Sequence, residues 1–189
     1  MLLVVAYRPD VNRRNRLTEE SGENPMFRSY HEEYVGCLSE EESEALVREV
    51  GQWRQIDWEP SAASRVYHYC GGHPLITRFF ASKATERGTV KQVTVARTEE
   101  TALEIAATFR KNDIGNYYSE GIWKLLQEHE RSLLQKVTQA AGLPFVESCL
   151  SPTMQEALTN LENFGLVSID AGRIRIVAEL FRRWLARMF

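Results

Sequence analysis

The stretch ALTNLENFGLVSIDAGRIRIVAELFRRWL, residues 157–185, contains successive patterns that decide the fold of the second half of the chain. It continues a run from Pro152 to Phe164 in which apolar residues recur every three or four positions, as in an amphipathic helix. Apolar and polar residues then alternate from Leu166 to Val177 around the glycine-containing turn Asp170–Gly172, which predicts a β-hairpin. Helical spacing returns from Glu179 to Phe189. The stretch therefore predicts a helix, a hairpin and a last helix.

Two more apolar runs at helical spacing precede this stretch. They extend from Tyr117 to Leu126 and from Glu130 to Ala141. Three helices followed by a hairpin form a winged-helix arrangement, in which the third helix occupies the recognition position. We therefore predict a winged-helix domain over residues 113–189.

The preceding part of the chain, residues 36–112, predicts a small helical bundle. Ser39 and Glu42 have the spacing of a capping box, and the apolar stripe after them reaches a stop signal at Gly51. Further helices are predicted from Pro60 to Cys70, from Pro74 onward and from Glu99 to Lys111, with a short extended link from Val90 to Val95. Glycine and proline between these segments are typical of short helices joined by tight corners.

The first 35 residues have a different character. Leu2–Ala6 is uninterruptedly apolar, which is typical of a strand covered on both sides in a parallel α/β sheet. No second strand of this kind occurs before residue 90, although a buried strand needs neighbours to pair its backbone groups. The polar stretch Asp10–Tyr34 predicts a long exposed loop. The chain is therefore expected to begin inside a domain.

The bulk composition argues against several classes of protein. The 189 residues are 43% hydrophobic and 26% charged, as in ordinary globular proteins, and the net charge of −3 leans against nucleic-acid binding. The odd number of cysteines, Cys37, Cys70 and Cys149, argues against a disulfide scaffold, and the lack of closely spaced thiols or imidazoles argues against a structural zinc site, which favours buried thiols in a reducing cytosol. No apolar run approaches the length of a membrane span, so we expect a cytoplasmic location and no membrane partner.

Four segments resemble, in the same order, parts of AAA+-type ATPases of the STAND branch and their archaeal and bacterial relatives. They are LLVVAYRP (2–9), VGCLSEEESEALV (35–47), YCGGHPLITRF (69–79) and residues 157–185. They are similar to the late core strand that ends in a sensor-1 residue, the segment leading into the helical lid, the Gly-x-Pro motif of the lid, and the winged helix. The resemblance implies a mainly α fold with a small β component: a remnant of the α/β NTPase core at 1–35, a helical lid at 36–112 and a winged-helix domain at 113–189.

Two features of that family are missing from the sequence. No GxxxxGK[ST] loop occurs to cradle phosphates, and no strand ends in paired acidic residues to hold Mg²⁺. The resemblance therefore implies that ATP or ADP with Mg²⁺ binds only in the context of a complete NTPase core, supplied in cis or in trans. The chain alone is expected to be a fragment without ATPase activity and without catalytic residues of its own, apart from a sensor-1 candidate.

The resemblance also places candidate nucleotide-binding residues. Arg8 follows the first strand at the sensor-1 position, where a guanidinium would stabilise charge on the terminal phosphate. Gly72, His73 and Pro74 match the lid motif, which implies that the proline lies against the adenine, while the helix N-terminus behind it favours an anion. Arg78, one turn later, is a candidate for a sensor-2-like cation, although a solvated helix arginine accounts for it better. The alternative is a plain corner between two helices, flanked by solvated arginines.

The predicted recognition helix carries carboxylates and neither lysine nor arginine. Binding to duplex DNA depends largely on neutralising phosphates, so this helix is poorly suited to it. Gln155 and Asn160 are its best adenine-reading side chains. Arg173 and Arg175 on the wing are candidate contacts to a DNA backbone, with Arg182, Arg183 and Arg187 behind them. A solvated face or intramolecular ion pairs account for these arginines better than contacts to DNA do.

Three functions are open at this point. The leading one is the lid and winged-helix regulatory portion of a nucleotide-switched signalling ATPase, which contacts a protein partner through its winged helix. The second is a free-standing winged-helix DNA-binding regulator, against which the acidic recognition helix argues. The third is a protein-interaction subunit of a split ATPase whose partner supplies the nucleotide core.

Overall fold

A computed structural model describes residues 36–86, 91–140 and 150–189, where the fold is mainly helical, as predicted. The helices are α1 (Glu40–Trp53), α2 (Pro60–Cys70), α3 (Pro74–Thr85), α4 (Val95–Ala107), α5 (Asp113–Asn116), α6 (Glu128–Gln139), α7 (Pro152–Asn163) and α8 (Glu179–Leu185). A π-helix (Tyr117–Ile122) and a 3₁₀ turn (Trp123–Leu125) continue α5. Strands β1 (Asp57–Trp58) and β2 (Gln92–Val93) pair in parallel, and β3 (Val167–Asp170) and β4 (Arg173–Ile176) pair antiparallel. The predicted strand Leu2–Ala6, its following loop and Arg8 lie outside the described residues.

Helix α1 begins at the predicted capping box and ends later than predicted. The Ser39 hydroxyl accepts the Glu42 N–H at 3.2 Å, and the Glu42 carboxylate accepts the Ser39 N–H at 2.8 Å. The predicted stop at Gly51 is wrong, because the helix continues to Trp53. A Cβ on Gly51 would lie 2.7 Å from Cδ1 of Trp58, so this glycine allows the Trp58 ring to pack closely against the helix and does not end it.

Helix α4 begins four residues before its predicted start. The Thr94 side chain accepts the Arg97 N–H at 3.3 Å and caps the helix at Val95. The Arg97 guanidinium then reaches the preceding helix, where Nε donates to the Ala84 carbonyl at 3.1 Å and Nη2 to the Lys83 carbonyl at 3.3 Å. Arg97 thereby satisfies carbonyl groups at the C-terminal end of α3.

The hairpin predicted around Asp170–Gly172 is confirmed. Its register places Val167 opposite Ile176 and Asp170 opposite Arg173. The two turn residues, Ala171 at φ 49° and Gly172 at φ 71°, both have left-handed backbone, as a two-residue hairpin of the right twist requires.

The predicted helix from Tyr117 to Leu126 has a different form, because it is a π-helix followed by a 3₁₀ turn. A Cβ on Gly121 would lie 2.9 Å from the Tyr117 ring, so the ring packs over the space that the glycine leaves open. Tyr117 is half-buried and the adjacent Tyr118 is fully buried. Two consecutive tyrosines thus both contribute to packing.

One hydrophobic core runs through both predicted units, 36–112 and 113–189. Its fully buried members include Val66 of α2, Ile105 of α4 and Phe181 of α8. Helix α8 packs against α2 and α4, which brings the end of the chain onto the helical bundle. None of the described helices combines the length and the apolar character needed to cross a membrane. The cytoplasmic location stays a prediction.

Candidate functional site at the Gly71–Pro74 corner

The Gly-Gly-His-Pro sequence forms the corner between α2 and α3. Helix α2 ends where the Gly71 N–H donates to the Tyr67 carbonyl at 2.7 Å. Gly71 and Gly72 have φ values of 62° and 70°, a left-handed conformation that glycine adopts without a steric penalty. His73 is the N-cap of α3, and Pro74 occupies its first turn. Glycine and proline thus end and begin the helices as predicted.

The segment that precedes α1 lies directly against this corner. The Leu38 N–H donates to the Gly72 carbonyl at 3.0 Å. A Cβ on Gly72 would lie 2.0 Å from the Leu38 carbonyl oxygen, a separation that no side chain tolerates. Gly72 is therefore required for its backbone conformation and also for this close approach of two backbones.

Residues 113–140 and 150–189, called the hairpin unit from here on, close the other side of the corner. A Cβ on Gly71 would lie 3.0 Å from side-chain carbons of Val177 and Ala178, which immediately precede α8. A Cβ on Gly165 would lie 2.8 Å from Sγ of Cys37. The segment before α1, the corner and the hairpin unit therefore meet at one place.

His73 connects the corner to the π-helix. Its Nε2 lies 2.9 Å from the Tyr117 hydroxyl oxygen, and the two ring centroids are 5.1 Å apart. Burial lowers the pKa of His73 below its ordinary value. Its Nδ1 is buried and has no hydrogen-bond partner among the described residues. The predicted nucleotide ligand His73 thus makes an internal contact, and Tyr117 is a site residue that the sequence did not indicate.

A small cavity of about 20 Å³ lies behind the corner, lined by residues that include Cys37, Cys70, His73 and Tyr118. Burial raises the pKa of both thiols and of the Tyr118 hydroxyl. Because the thiolate is the reactive form of cysteine, these buried thiols are poor nucleophiles. Within the described ranges, no group of three or more His, Cys, Asp or Glu side chains is placed to hold a metal ion.

The outer surface of the corner faces solvent. Pro74 is exposed, and the neighbouring Leu75 is 50% exposed although it is apolar. Arg78 is exposed one turn further along α3. These three side chains follow the helix N-terminus, where the backbone N–H groups favour a negatively charged ligand.

Helix α7, the predicted recognition helix, is tied to α6 by a buried carboxylate. Glu130 is fully buried, and its Oε2 accepts the Gln127 N–H at 2.7 Å. Its Oε1 accepts a hydrogen bond from Nδ2 of Asn160 at 3.1 Å. The amide of Asn160, one of the two best adenine-reading side chains of this helix, is therefore used inside the protein. Gln155 remains exposed.

The arginines of the last helix make intramolecular contacts. Arg182 and Arg183 both donate to the Glu179 carboxylate, at 2.6 and 2.9 Å from their Nε atoms. Arg187 donates to the Ala106 carbonyl at the end of α4. These contacts engage all three arginines within the protein.

On the β3–β4 hairpin, the predicted wing, Arg175 forms an exposed ion pair of 3.5 Å with Asp170, while Arg173 is exposed. An exposed pair of this length contributes little to stability, and it dissociates readily when another anion competes. The hairpin arginines Arg173 and Arg175 are therefore more accessible to an anionic partner than the arginines of α8.

Neither a protein-family model nor a curated protein matches this sequence. A structure of the Thermotoga maritima RuvB Holliday junction branch migration motor is similar over 75% of this chain and 47% of the RuvB chain, with 14% identity and a TM-score of 0.39. A variant of the same motor aligns with 15% identity over 73% of this chain and 46% of its own, with a TM-score of 0.37. The chain thus spans about half the length of the RuvB structures it matches. A similarity this low carries no argument about function, for which the contacts described above are the basis.

Proposed function

We propose that this chain is the helical lid and winged-helix regulatory portion of a nucleotide-switched AAA+ ATPase of the STAND type. The observation that carries the proposal is the 3.0 Å hydrogen bond from the Leu38 N–H to the Gly72 carbonyl. It joins the two segments, 35–47 and 69–79, that resemble the segment leading into the lid and the Gly-x-Pro motif. Their order in the sequence does not by itself require this contact.

The outer surface of the corner is the part that fits a nucleotide. The exposed Pro74 and Leu75 offer an apolar surface for an adenine ring, and the N-terminus of α3 together with Arg78 favours a phosphate. His73 acts as a positioning residue, because its Nε2 is engaged by Tyr117. The phosphate cradle, the sensor-1 contact and Mg²⁺ belong to a complete NTPase core, in cis or in trans.

The regulatory role rests on the contacts between the corner and the hairpin unit. Gly71 packs against Val177 and Ala178, and His73 bonds to Tyr117. A nucleotide that shifts the corner would therefore alter contacts that hold the hairpin unit in place. Such a shift requires that the nucleotide bind the two arrangements with different affinities.

The winged-helix unit is better suited to a protein partner than to a DNA sequence. Helix α7 has neither lysine nor arginine, and Asn160 is bonded to Glu130. The cations of α8 contact Glu179 and Ala106 of the same chain. Only the exposed Arg173 and Arg175 of the wing remain as the DNA-backbone candidates, and they would bind weakly and without sequence preference.

A titration of the full isotopically labelled chain with ADP, followed by NMR, tests the nucleotide site. Because the phosphate cradle is missing, binding is expected only on the order of millimolar, and calorimetry at micromolar concentration should detect none. Saturable shifts are expected at Gly72, Leu75 and Arg78. The Arg78→Gln variant should weaken them, whereas the matched Arg173→Gln variant should leave them unchanged. Shifts centred on the hairpin, or ATP turnover by the chain, would contradict the proposal.

A gel-shift assay at about physiological salt distinguishes the proposed regulatory function from the DNA-binding alternative. Random duplex and the upstream region of the gene serve as probes. Weak binding that falls steeply with salt, and that weakens in the Arg173→Gln variant, supports the proposal. Nanomolar binding to one sequence, lost in the Gln155→Ala variant, would favour the DNA-binding regulator instead.

A further inference from the structure

The cavity behind the α2–α3 corner has the size of a single water molecule. Its volume of about 20 Å³ exceeds the roughly 10–15 Å³ that one water needs, and it is far too small for a cofactor. Apolar side chains, among them Ile76, Ile122 and Phe181, form most of its wall. An apolar wall alone would leave such a cavity dry, so the polar atoms that line it decide its contents.

Two lining residues carry buried polar atoms that lack a hydrogen-bond partner in the described part of the chain. They are the hydroxyl oxygen of Tyr118 and Nδ1 of His73. Tyr118 is only 1% exposed, so bulk solvent does not reach its hydroxyl. Buried polar groups in folded proteins are nearly always satisfied, either by protein atoms or by ordered water. A cavity whose wall includes both residues therefore has the chemistry as well as the size of a hydration site.

We propose that this cavity binds one water molecule, hydrogen-bonded to the Tyr118 hydroxyl and to Nδ1 of His73. Water both donates and accepts hydrogen bonds, so it suits either tautomer of the imidazole. If Tyr117 donates to Nε2, then Nδ1 carries the proton and donates to the water. If Nε2 donates to Tyr117, then Nδ1 accepts from the water.

The water completes a hydrogen-bonded path between consecutive residues of the π-helix. Tyr117 contacts the imidazole directly at 2.9 Å, and Tyr118 contacts it through the water. Both tyrosines belong to the π-helix, a rare helix type, in which Tyr117 is half-buried and Tyr118 is buried. The inference goes beyond the proposed function and does not depend on it.

The Tyr118→Phe substitution tests the proposal, because the presence or absence of the water decides whether the unfolding equilibrium constant rises. If the water is present, the variant removes one of its partners, and the unfolding equilibrium constant in urea titrations should rise roughly fivefold to tenfold. In a dry cavity the hydroxyl is unsatisfied, so its removal would leave that constant unchanged or lower it. Such a result overturns the proposal. The Tyr67→Phe variant, at a half-buried tyrosine of α2 outside the cavity wall, is the control and should change the constant less than about twofold.

A second measurement uses the wild-type chain and does not depend on the folding of a variant. Nuclear Overhauser transfer from water to the methyl protons of Ile122 and Ala178, both in the cavity wall, reports a long-lived internal water. Transfer is expected in the wild type and should be reduced in the Tyr118→Phe variant. Absence of transfer to both methyl groups in the wild type would overturn the proposal.

Discussion

The imidazole of His73 and the hydroxyl of Tyr117 form a 2.9 Å hydrogen bond that joins the α2–α3 corner to the π-helix. The two residues lie 44 positions apart and belong to different predicted units. His73 does not use its side chain to cap its own helix. The corner is therefore held from one side by the Leu38 backbone and from the other by Tyr117.

The Tyr117→Phe substitution should lower the free energy of unfolding by about 1 kcal/mol, because it removes this hydrogen bond and keeps the aromatic ring. Urea titration of the variant against the wild type measures the difference. Tyr67→Phe, at a half-buried tyrosine of the adjoining helix, should change the free energy by less than about 0.5 kcal/mol. Equal stability of the Tyr117→Phe variant and the wild type would show that the bond contributes nothing.

Acidification should destabilise the protein through His73. Because burial lowers the pKa of His73 in the folded state, the unfolded chain binds the proton more tightly. This contribution to stability is fully present above the ordinary histidine pKa of about 6.5 and is lost as the pH falls through the lowered folded value. The free energy of unfolding should therefore fall between about pH 7 and pH 5 more steeply in the wild type than in a His73→Gln variant.

A second titrating group acts in a separate pH range. Burial acts to raise the pKa of Glu179, but hydrogen bonds from Arg182 and Arg183 outweigh it and hold this pKa below its ordinary value. The contribution of Glu179 to the free energy of unfolding is present above the ordinary glutamate pKa of about 4.3 and is lost below it. Parallel curves for wild type and His73→Gln above about pH 5 would therefore contradict the assignment to His73.

Alanine at Gly72 should be far more damaging than alanine at Gly172. Both glycines have a left-handed backbone, with φ values of 70° and 71°, so both variants incur a strain of about 1–2 kcal/mol. A Cβ on Gly172 meets nothing within 4 Å, whereas one on Gly72 would lie 2.0 Å from the Leu38 carbonyl oxygen. Gly72→Ala should therefore cost about 1–3 kcal/mol more than Gly172→Ala in chemical denaturation. Equal losses would mean that the Leu38 segment does not lie against the corner.

The Asn160→Ala substitution should destabilise the hairpin unit although the residue lies in the predicted recognition helix. It removes the 3.1 Å hydrogen bond to the fully buried carboxylate of Glu130, which should cost about 1–3 kcal/mol. The matched Gln155→Ala change, at an exposed position of the same helix, should stay within about 0.5 kcal/mol. Thermal and urea unfolding of both variants provide the comparison. A neutral Asn160→Ala would place its side chain in solvent instead.

Removing the guanidinium of Arg97 should cost more than removing that of Arg182. Arg97 is 12% exposed at its side chain, pairs with Glu100 at 2.7 Å and donates to two carbonyls at the end of α3. Arg97→Met should lower the free energy of unfolding by about 1–3 kcal/mol, because two part-buried carbonyls lose a charged donor. Arg182→Met removes a 42% exposed side chain and should cost about 0–1 kcal/mol. The same denaturation assay ranks the two, and a reversed order would contradict this account.

Local signals in the sequence predicted elements whose causes lie within a few residues of each other. The Ser39–Glu42 capping box, the glycine-proline corner and the hairpin at Asp170–Gly172 are confirmed for this reason. Each depends on backbone conformation and on hydrogen bonds over a few positions. The general expectation of a mainly helical fold follows from the same local periodicity.

The errors occur where a distant partner decides the outcome. Local rules predict that the helix ends at Gly51. In the structure the Trp58 ring packs where a side chain at residue 51 would lie, and the helix continues to Trp53. Asn160 has the pattern of an exposed polar residue, but the buried Glu130 turns its amide inward. A sequence pattern does not reveal which side chain of another helix will contact a given residue.

In the candidate site, too, some features follow from the local sequence and others only from tertiary contacts. The sequence by itself determined that Gly72, His73 and Pro74 form a corner, because glycine permits the left-handed backbone and proline favours the first helical turn. Tertiary structure alone decided that Leu38 lies against Gly72, that Tyr117 bonds to His73, and that the arginines of α8 turn back onto the chain. The physical reason is that such contacts depend on how the helices pack around one common core, which brings together residues that no local pattern connects.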